Sequence, residues 1–107
     1  MQRTQLSDRE RRRRSRLAQI IHEARFLRGT LSLRNVQCGK PGCHCARGEL
    51  HACLYLVRRQ GGKLRQLFVP RQWEGRIREA VKNHQEMEQL IEELSDLEWK
   101  RLKERKE

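Results

Sequence analysis

Aromatic residues, long apolar runs and acidic residues in the middle of the chain are scarce. Only 5% of the 107 residues are aromatic and 36% are hydrophobic, so a bound metal or a partner subunit would help to stabilise so small a domain. No apolar run approaches the roughly 18 residues that a membrane span requires. The N-terminus is rich in arginine and has no apolar secretion signal. We therefore expect a soluble, cytoplasmic protein with no membrane partner.

The positive charge is concentrated in the first two thirds of the chain. The net charge is +11, and residues 31–70 contain seven basic residues against the single acid Glu49. Residues 1–30 contain nine arginines against three acids, whereas residues 71–107 are nearly neutral. A surface of this sign attracts polyanions, of which nucleic acid is the most common in a cell. The charge pattern therefore favours a nucleic-acid partner.

The hydrophobic spacing predicts an α+β fold with the order α-β-β-β-α. Ser7 and Glu10 have the spacing of a capping box, and the apolar residues that follow predict a helix over about 8–28 that stops at Gly29. Because arginines surround its first half, we expect residues 1–16 to form a basic arm that projects beyond the core. The remaining chain, 17–107, is predicted to be one domain, with its first helix over 17–28.

A glycine pair, Gly61-Gly62, lies between two β-rich segments and predicts a tight hairpin. Leu31 and Leu33 alternate with polar residues and indicate a third strand, which makes a small antiparallel sheet within residues 31–70. The hairpin register sets these pairs opposite one another: Leu54 and Val69, Tyr55 and Phe68, Leu56 and Leu67, Arg58 and Arg65.

A long apolar stripe follows Pro70 and predicts a C-terminal helix over about 71–105. At 1.5 Å per residue, such a helix is roughly 15–20 Å longer than the first helix. We expect its overhang, about Met87 to Leu102, to need another helix against it. We therefore expect the helix to form either an antiparallel helical hairpin or a coiled-coil homodimer.

All four cysteines lie in the sequence CGKPGCHCARGELHAC, which spans Cys38 to Cys53. Structural zinc takes four thiolate or imidazole ligands, and short spacings allow one turn of backbone to present two of them. Cys38, Cys43 and Cys45 are three candidate ligands. The fourth is His51 or Cys53, and the spacing does not choose between them. A redox or metal-sensing thiol cluster is the alternative interpretation, because nearby cations favour thiolates.

The cysteine segment resembles a family of small bacterial and archaeal proteins that is known only as a domain of unknown function. The family pattern is C-G-K-x-x-C-x-C-A-x-G-x-x-H, and the similarity covers about residues 28–97. The resemblance favours His51 as the fourth zinc ligand, because Cys53 lies where the family has a different residue. It also implies a weak association with mobile or plasmid-borne genes. The residues that match the pattern are Cys38, Gly39, Lys40, Cys43, Cys45, Ala46, Gly48 and His51.

Two groups of basic residues are candidate phosphate ligands. The arm contributes Arg9, Arg11, Arg12, Arg13, Arg14 and Arg16, and the metal loop and hairpin contribute Lys40, Arg47, Arg58, Arg59, Lys63 and Arg65. The few aromatic residues make base stacking on single strands an unexpected mode. DNA is favoured over RNA. A protein-interaction adaptor that docks through its last helix is the alternative function.

No residue set indicates catalysis. The sequence contains no phosphate-binding glycine loop, and the carboxylates of the last helix, such as Glu92 and Glu93, are expected to be solvated. His84 lies in the apolar stripe, where a histidine is more typical of a core edge than of a general base. The sequence therefore predicts a non-enzymatic protein.

Overall fold

A computed structural model describes residues 7–36 and 51–105, with only the backbone described for Val36 and His51. A short 3-10 turn, Arg71–Trp73, leads into the second helix. The arrangement confirms the predicted α+β class: an N-terminal helix, a three-stranded antiparallel sheet and a long C-terminal helix. The elements are α1 (Asp8–Glu23), β1 (Thr30–Val36), β2 (His51–Gln60), β3 (Lys63–Val69) and α2 (Glu74–Glu104).

Helix α1 begins where the sequence predicts and ends earlier. The Ser7 hydroxyl accepts a hydrogen bond from the Glu10 backbone N–H at 3.1 Å, which satisfies one of the donors left open at a helix start. The helix stops at Glu23, not at residue 28, because the next residues find backbone partners elsewhere. The Arg25 carbonyl accepts from Asn83 Nδ2 at 2.9 Å, and the Leu27 N–H donates to the Ala80 carbonyl at 3.0 Å.

The sheet has the order β1-β2-β3, with antiparallel pairing throughout. Tyr55 lies opposite Phe68 and Arg58 opposite Arg65, so the predicted hairpin register is confirmed. Gly61 and Gly62 form the turn with φ values of 59° and 80°. Both values lie in the left-handed region that glycine adopts without strain, as a two-residue turn of this kind requires.

The described residues form two compact units. The first contains the chain up to Phe26 together with the chain from Lys82 onward. Its core consists of buried Ile20, Met87 and Leu90, against which Leu17 and Ala24 pack. The second unit, Leu27–Val81, contains the sheet and the start of α2. In the part of this unit that the structure describes, the buried apolar residues are Leu54, Val69, Ala80 and Val81.

Within the first unit, α1 lies antiparallel to the second part of α2. Arg16 pairs with Glu86 at 2.8 Å near one end, and Glu10 pairs with Arg101 at 2.7 Å near the other. The expectation that the first half of α1 projects beyond the core is therefore wrong, since Glu10 is only 2% exposed. The overhang predicted for α2 is covered by α1 itself. The proposed boundary at residue 16, through which α1 runs without interruption, stays a prediction.

Gly29 is expected to tolerate no side chain. Its φ is 155°, and a Cβ there would lie 2.8 Å from Leu56 Cδ1 and 3.1 Å from the Val57 carbonyl oxygen. Gly29→Ala should therefore lower the free energy of unfolding by about 1–3 kcal/mol, measured by urea denaturation. Gly75→Ala is the matched control, because Gly75 is helical and a Cβ there meets nothing within 4 Å. Equal stability of the two variants would contradict this account.

Candidate nucleic-acid interface and metal loop

The three strands contain basic residues and no acidic residue in their described ranges, 30–36, 51–60 and 63–69. We call the sheet with these cations the basic sheet. Its positive charge on one small element resembles the electrostatic footprint of a polyanion-binding surface. The cations of the basic sheet are Arg34, Arg58, Arg59, Lys63 and Arg65.

The charges of the basic sheet are not neutralised by any carboxylate in residues 7–36 and 51–105. Arg34 donates through Nε to the Ser32 hydroxyl at 3.3 Å. Arg65 donates through Nη1 to the Gln60 side-chain oxygen at 2.6 Å. Both acceptors are neutral, so the positive charge remains available to an anion from solution.

The side chain of Arg58 contains a buried hydrogen-bond donor without an acceptor among the described residues. Its Nε is buried and has no partner among the described residues, although a buried donor normally finds one. Arg65 lies directly across the strand pair, where two like charges repel each other. An anion such as a phosphate that bound the two guanidinium groups would relieve this repulsion.

The arginines of α1 are in a different electrostatic situation. Arg13 pairs with Glu93 at 2.6 Å, Arg14 with Glu10 at 3.1 Å and Arg16 with Glu86 at 2.8 Å. The hydrogen bond from Arg16 is the main cause that lowers the pKa of Glu86. Two of the six arginines proposed as phosphate ligands, Arg13 and Arg16, therefore stabilise the helix pair, and Arg14 pairs within α1 itself. Glu93, expected to be solvated, is one of their partners.

The outer face of α1 keeps part of its positive charge. An open groove of about 520 Å³ is lined by residues of this helix, with Arg11, Arg12 and Arg16 at its wall. Arg12 has no hydrogen-bond or ion-pair partner among the residues that the structure describes. Asp8, Ser15 and Gln19 complete the lining. This face is a second, weaker candidate for phosphate contact, because Asp8 offsets part of its charge.

Glu10 is expected to make the helix pair sensitive to acid. Hydrogen bonds from Arg101, and then from Arg14, lower its pKa although burial opposes this shift. A lowered folded-state pKa contributes stability that is present above the unfolded value, near 4.3, and is lost as the pH falls through the folded pKa. Glu10→Gln should therefore reduce stability at pH 7 and flatten its decline below about pH 5, measured by urea unfolding.

The exposed Glu92, which has no ion pair among the described residues, provides the control. Glu92→Gln should leave the acid profile of the protein unchanged. If Glu10→Gln and the parent protein lose stability in parallel as the pH falls, the role assigned to Glu10 is wrong.

Most of the predicted zinc ligands lie outside the described residues. Cys38, Cys43 and Cys45 belong to segment 37–50, as do the predicted phosphate ligands Lys40 and Arg47. The backbone of His51 pairs with that of Val36, so segment 37–50 starts and ends at neighbouring positions at one end of the sheet. Among residues 7–36 and 51–105 no three potential ligands cluster.

Cys53 is the one cysteine in the described part of the chain. It is half-buried and free of any disulfide, and it lies opposite Arg34 in the sheet. It is two residues beyond His51 on the same strand. Both candidates for the fourth ligand position therefore lie at the point where the loop rejoins the sheet.

The sequence predicts the pairing of Tyr55 with Phe68 but not the exposure of the Phe68 ring. Tyr55 and Phe68 meet edge to face, with ring centroids 5.8 Å apart, and Phe68 is 54% exposed. The hairpin register predicts the pairing, but both faces of the sheet carry apolar residues and the sequence does not show which face is open. The expectation that few aromatic residues are free to stack on bases stays a prediction, and the exposed ring of Phe68 is one such residue.

A family model described as domain of unknown function DUF6788 matches residues 4–79, which is more than half of the chain. The chain belongs to this family. The match to DUF6788 includes α1, all three strands and the segment between β1 and β2, and it ends near the start of α2. No curated protein and no solved structure gives a significant match. Neither of the two described helices is both long enough and apolar enough to span a membrane.

Proposed function

We propose that this DUF6788 protein is a non-enzymatic, zinc-stabilised module that binds nucleic acid, with DNA as the favoured form. The observation that carries the proposal is the basic sheet: five cations, no acid in the described strands and no carboxylate partner among the described residues. Ordinary surface charges have no such bias, because both signs are usually interspersed. A polyanion would supply the missing counter-charge along the length of the sheet.

The proposal assigns the main phosphate contacts to the sheet and not to α1. Arg58, Arg59 and Arg65 retain their full charge, whereas Arg13 and Arg16 are paired with glutamates of α2. A phosphate that bound the paired arginines would have to compete with carboxylates already in place. The unpaired Arg12 on the outer face of α1 extends the positive surface as a secondary contact.

A fluorescence anisotropy titration tests this function. Labelled DNA and RNA strands and a DNA duplex are each titrated with the purified protein at about 50 mM salt, where electrostatic binding is strong. The expected result is saturable binding of at least one of them, with DNA bound as tightly as RNA or more tightly. Absence of any complex at this salt concentration would contradict the proposed function.

We further propose that Cys38, Cys43, Cys45 and His51 bind one structural zinc ion. Three thiolates and one imidazole suit zinc, and a reducing compartment such as the cytoplasm keeps the thiols available. The pairing of Val36 with His51 supports the proposal, because a metal held by this segment would lock the end of β1 to the start of β2. The four residues lie within or beside the loop that this pair closes.

Exposed apolar residues on α2 favour a second function, docking to a helical partner or to a second copy of this chain. Ile91, Trp99 and Leu102 are 53%, 67% and 54% exposed, and they lie on one side of the helix at helical spacing. Trp99→Ser should reduce self-association in sedimentation equilibrium if a second copy covers this side. A protein that is monomeric at all concentrations would exclude the homodimer.

A further inference from the structure

One face of the sheet combines an aromatic pair with cations. Tyr55 and Phe68 form its aromatic pair, and the Arg34 guanidinium carbon lies 4.8 Å from the centroid of the Tyr55 ring. Because side chains alternate along a strand, Arg59 and Leu64 belong to this same face. Leu64 is 50% exposed. We call this side of the sheet the aromatic face.

The combination of a ring with cations, and not exposure alone, distinguishes the aromatic face. Phe68 is 54% exposed, but Phe26, Trp73 and Trp99 are also 41%, 43% and 67% exposed. An exposed apolar patch bordered by cations is typical of an interaction surface. The described ranges of the three strands contain no acidic residue, so their side chains add no negative charge to this face.

The chemistry of the face selects the kind of partner. A second copy of this chain is disfavoured, because in a two-fold contact the face would meet itself and would bring Arg34 and Arg59 against their own copies without any acid between them. A nucleic-acid duplex can reach the cations, but its bases are stacked on one another and offer no free ring. Unpaired bases can stack on an aromatic side chain while arginines contact their phosphates.

We propose that the aromatic face is a base-stacking platform for single-stranded nucleic acid, with Phe68 as its main contact. The proposal rests on the proposed function and names the form of nucleic acid that the sheet prefers. The ring of Phe68 receives a base, Tyr55 supports that ring from its edge, and Arg34 and Arg59 contact the adjoining phosphates. Stacking of this kind tolerates any base, so little sequence preference is expected.

Two single-stranded DNA molecules that differ only in their bases test the proposal. The first is an oligothymidine of about 20 nucleotides, longer than the roughly 4–16 nucleotides that a single-strand-binding fold of this size covers. The second is an abasic strand of equal length, which keeps the phosphates and lacks the rings. Phe68→Leu should weaken binding of oligothymidine by about tenfold or more and should change binding of the abasic strand by less than about twofold. Phe26→Leu is the matched control for loss of an exposed ring outside the sheet, since Phe26 is 41% exposed, and it should change neither.

A second variant keeps the proposal testable if Phe68→Leu folds poorly. Phe68→Trp retains a stacking ring, so it should bind oligothymidine at least as tightly as the parent protein. Its added tryptophan fluorescence should be quenched on binding oligothymidine and should stay unchanged with the abasic strand. Thermal melts followed by circular dichroism establish that each variant is folded.

The outcomes separate this proposal from the proposed function. Equal loss of affinity for both strands on Phe68→Leu, or no loss for either, would overturn the platform and leave electrostatic binding intact. Tighter binding of a duplex than of oligothymidine would also overturn the platform and leave electrostatic binding intact. Failure of the parent protein to bind the oligothymidine, the abasic strand or the duplex would overturn both proposals together.

Discussion

Replacing Cys43 with serine is expected to remove zinc from the protein and to unfold the sheet. Structural zinc in small domains contributes about 10–16 kcal/mol of apparent binding free energy, which exceeds the total stability of most domains of this size. Among its described residues, the second unit buries few large apolar side chains, and the buried apolar set is Leu54, Val69, Ala80 and Val81. We therefore expect that the described apolar residues of this unit are too few to hold the sheet together if zinc is lost.

Zinc content per chain and amide hydrogen exchange measure this effect. The parent protein should contain one zinc ion per chain, and the Leu54 and Leu56 amides should be protected from exchange. Cys43→Ser should contain no zinc and should lose this protection. A variant that lacks zinc and retains the protection would show that the metal does not stabilise the sheet.

His51 and Cys53 provide a matched comparison for the fourth ligand. His51→Ala should lose zinc as Cys43→Ser does, whereas Cys53→Ser should retain one zinc ion per chain. The opposite pattern would assign the site to four cysteines. Retention of zinc in all three variants would contradict the proposed site altogether.

Loss of charge from the sheet is expected to weaken nucleic-acid binding far more than equal loss of charge elsewhere. The variant Arg58→Gln/Arg59→Gln/Arg65→Gln removes three unpaired cations from the basic sheet. Each phosphate that the variant no longer binds should also reduce the salt dependence, by about 0.7 in slope for a single strand and about 0.9 for a duplex. We expect the affinity to fall by about tenfold or more, measured by fluorescence anisotropy at about 100 mM salt.

The control variant removes three charges from exposed positions of α2, through Lys82→Gln, Lys100→Gln and Lys103→Gln. It has the same net charge as the sheet variant, and its affinity should remain within about threefold of the parent value. If the two variants lose affinity equally, net charge and not the basic sheet governs binding.

The sequence predicts local features of the fold well and fails where distant residues meet. Gly61 and Gly62 determine the turn, and the turn determines the pairing of Tyr55 with Phe68, so the hairpin register follows from a few adjacent residues. The end of α1 could not be predicted in the same way. The backbone after Glu23 leaves the helix to bond with α2, and the helical spacing of its side chains shows no sign of these bonds.

The assignment of the charged residues fails for the same reason. Arg13 and Glu93 lie 80 positions apart, and nothing in either local sequence indicates that they pair. An arginine-rich segment and an acidic helix are therefore both expected to be solvated, although Arg13 and Arg16 of the first pair with glutamates of the second. On the sheet, by contrast, acids are absent from the strands themselves, so the sequence already predicts the unpaired cations near the hairpin.

The salt dependence of binding to single-stranded DNA tests the central claim most directly. The dissociation constant of the parent protein is measured between about 50 and 200 mM salt. The logarithm of the association constant should fall with the logarithm of the salt concentration. Contact of only Arg34 and Arg59 on the aromatic face predicts a slope of about −1.4, and contact of all five cations predicts a slope of about −3.5. A slope near zero, or no binding at the lowest salt, would contradict the account.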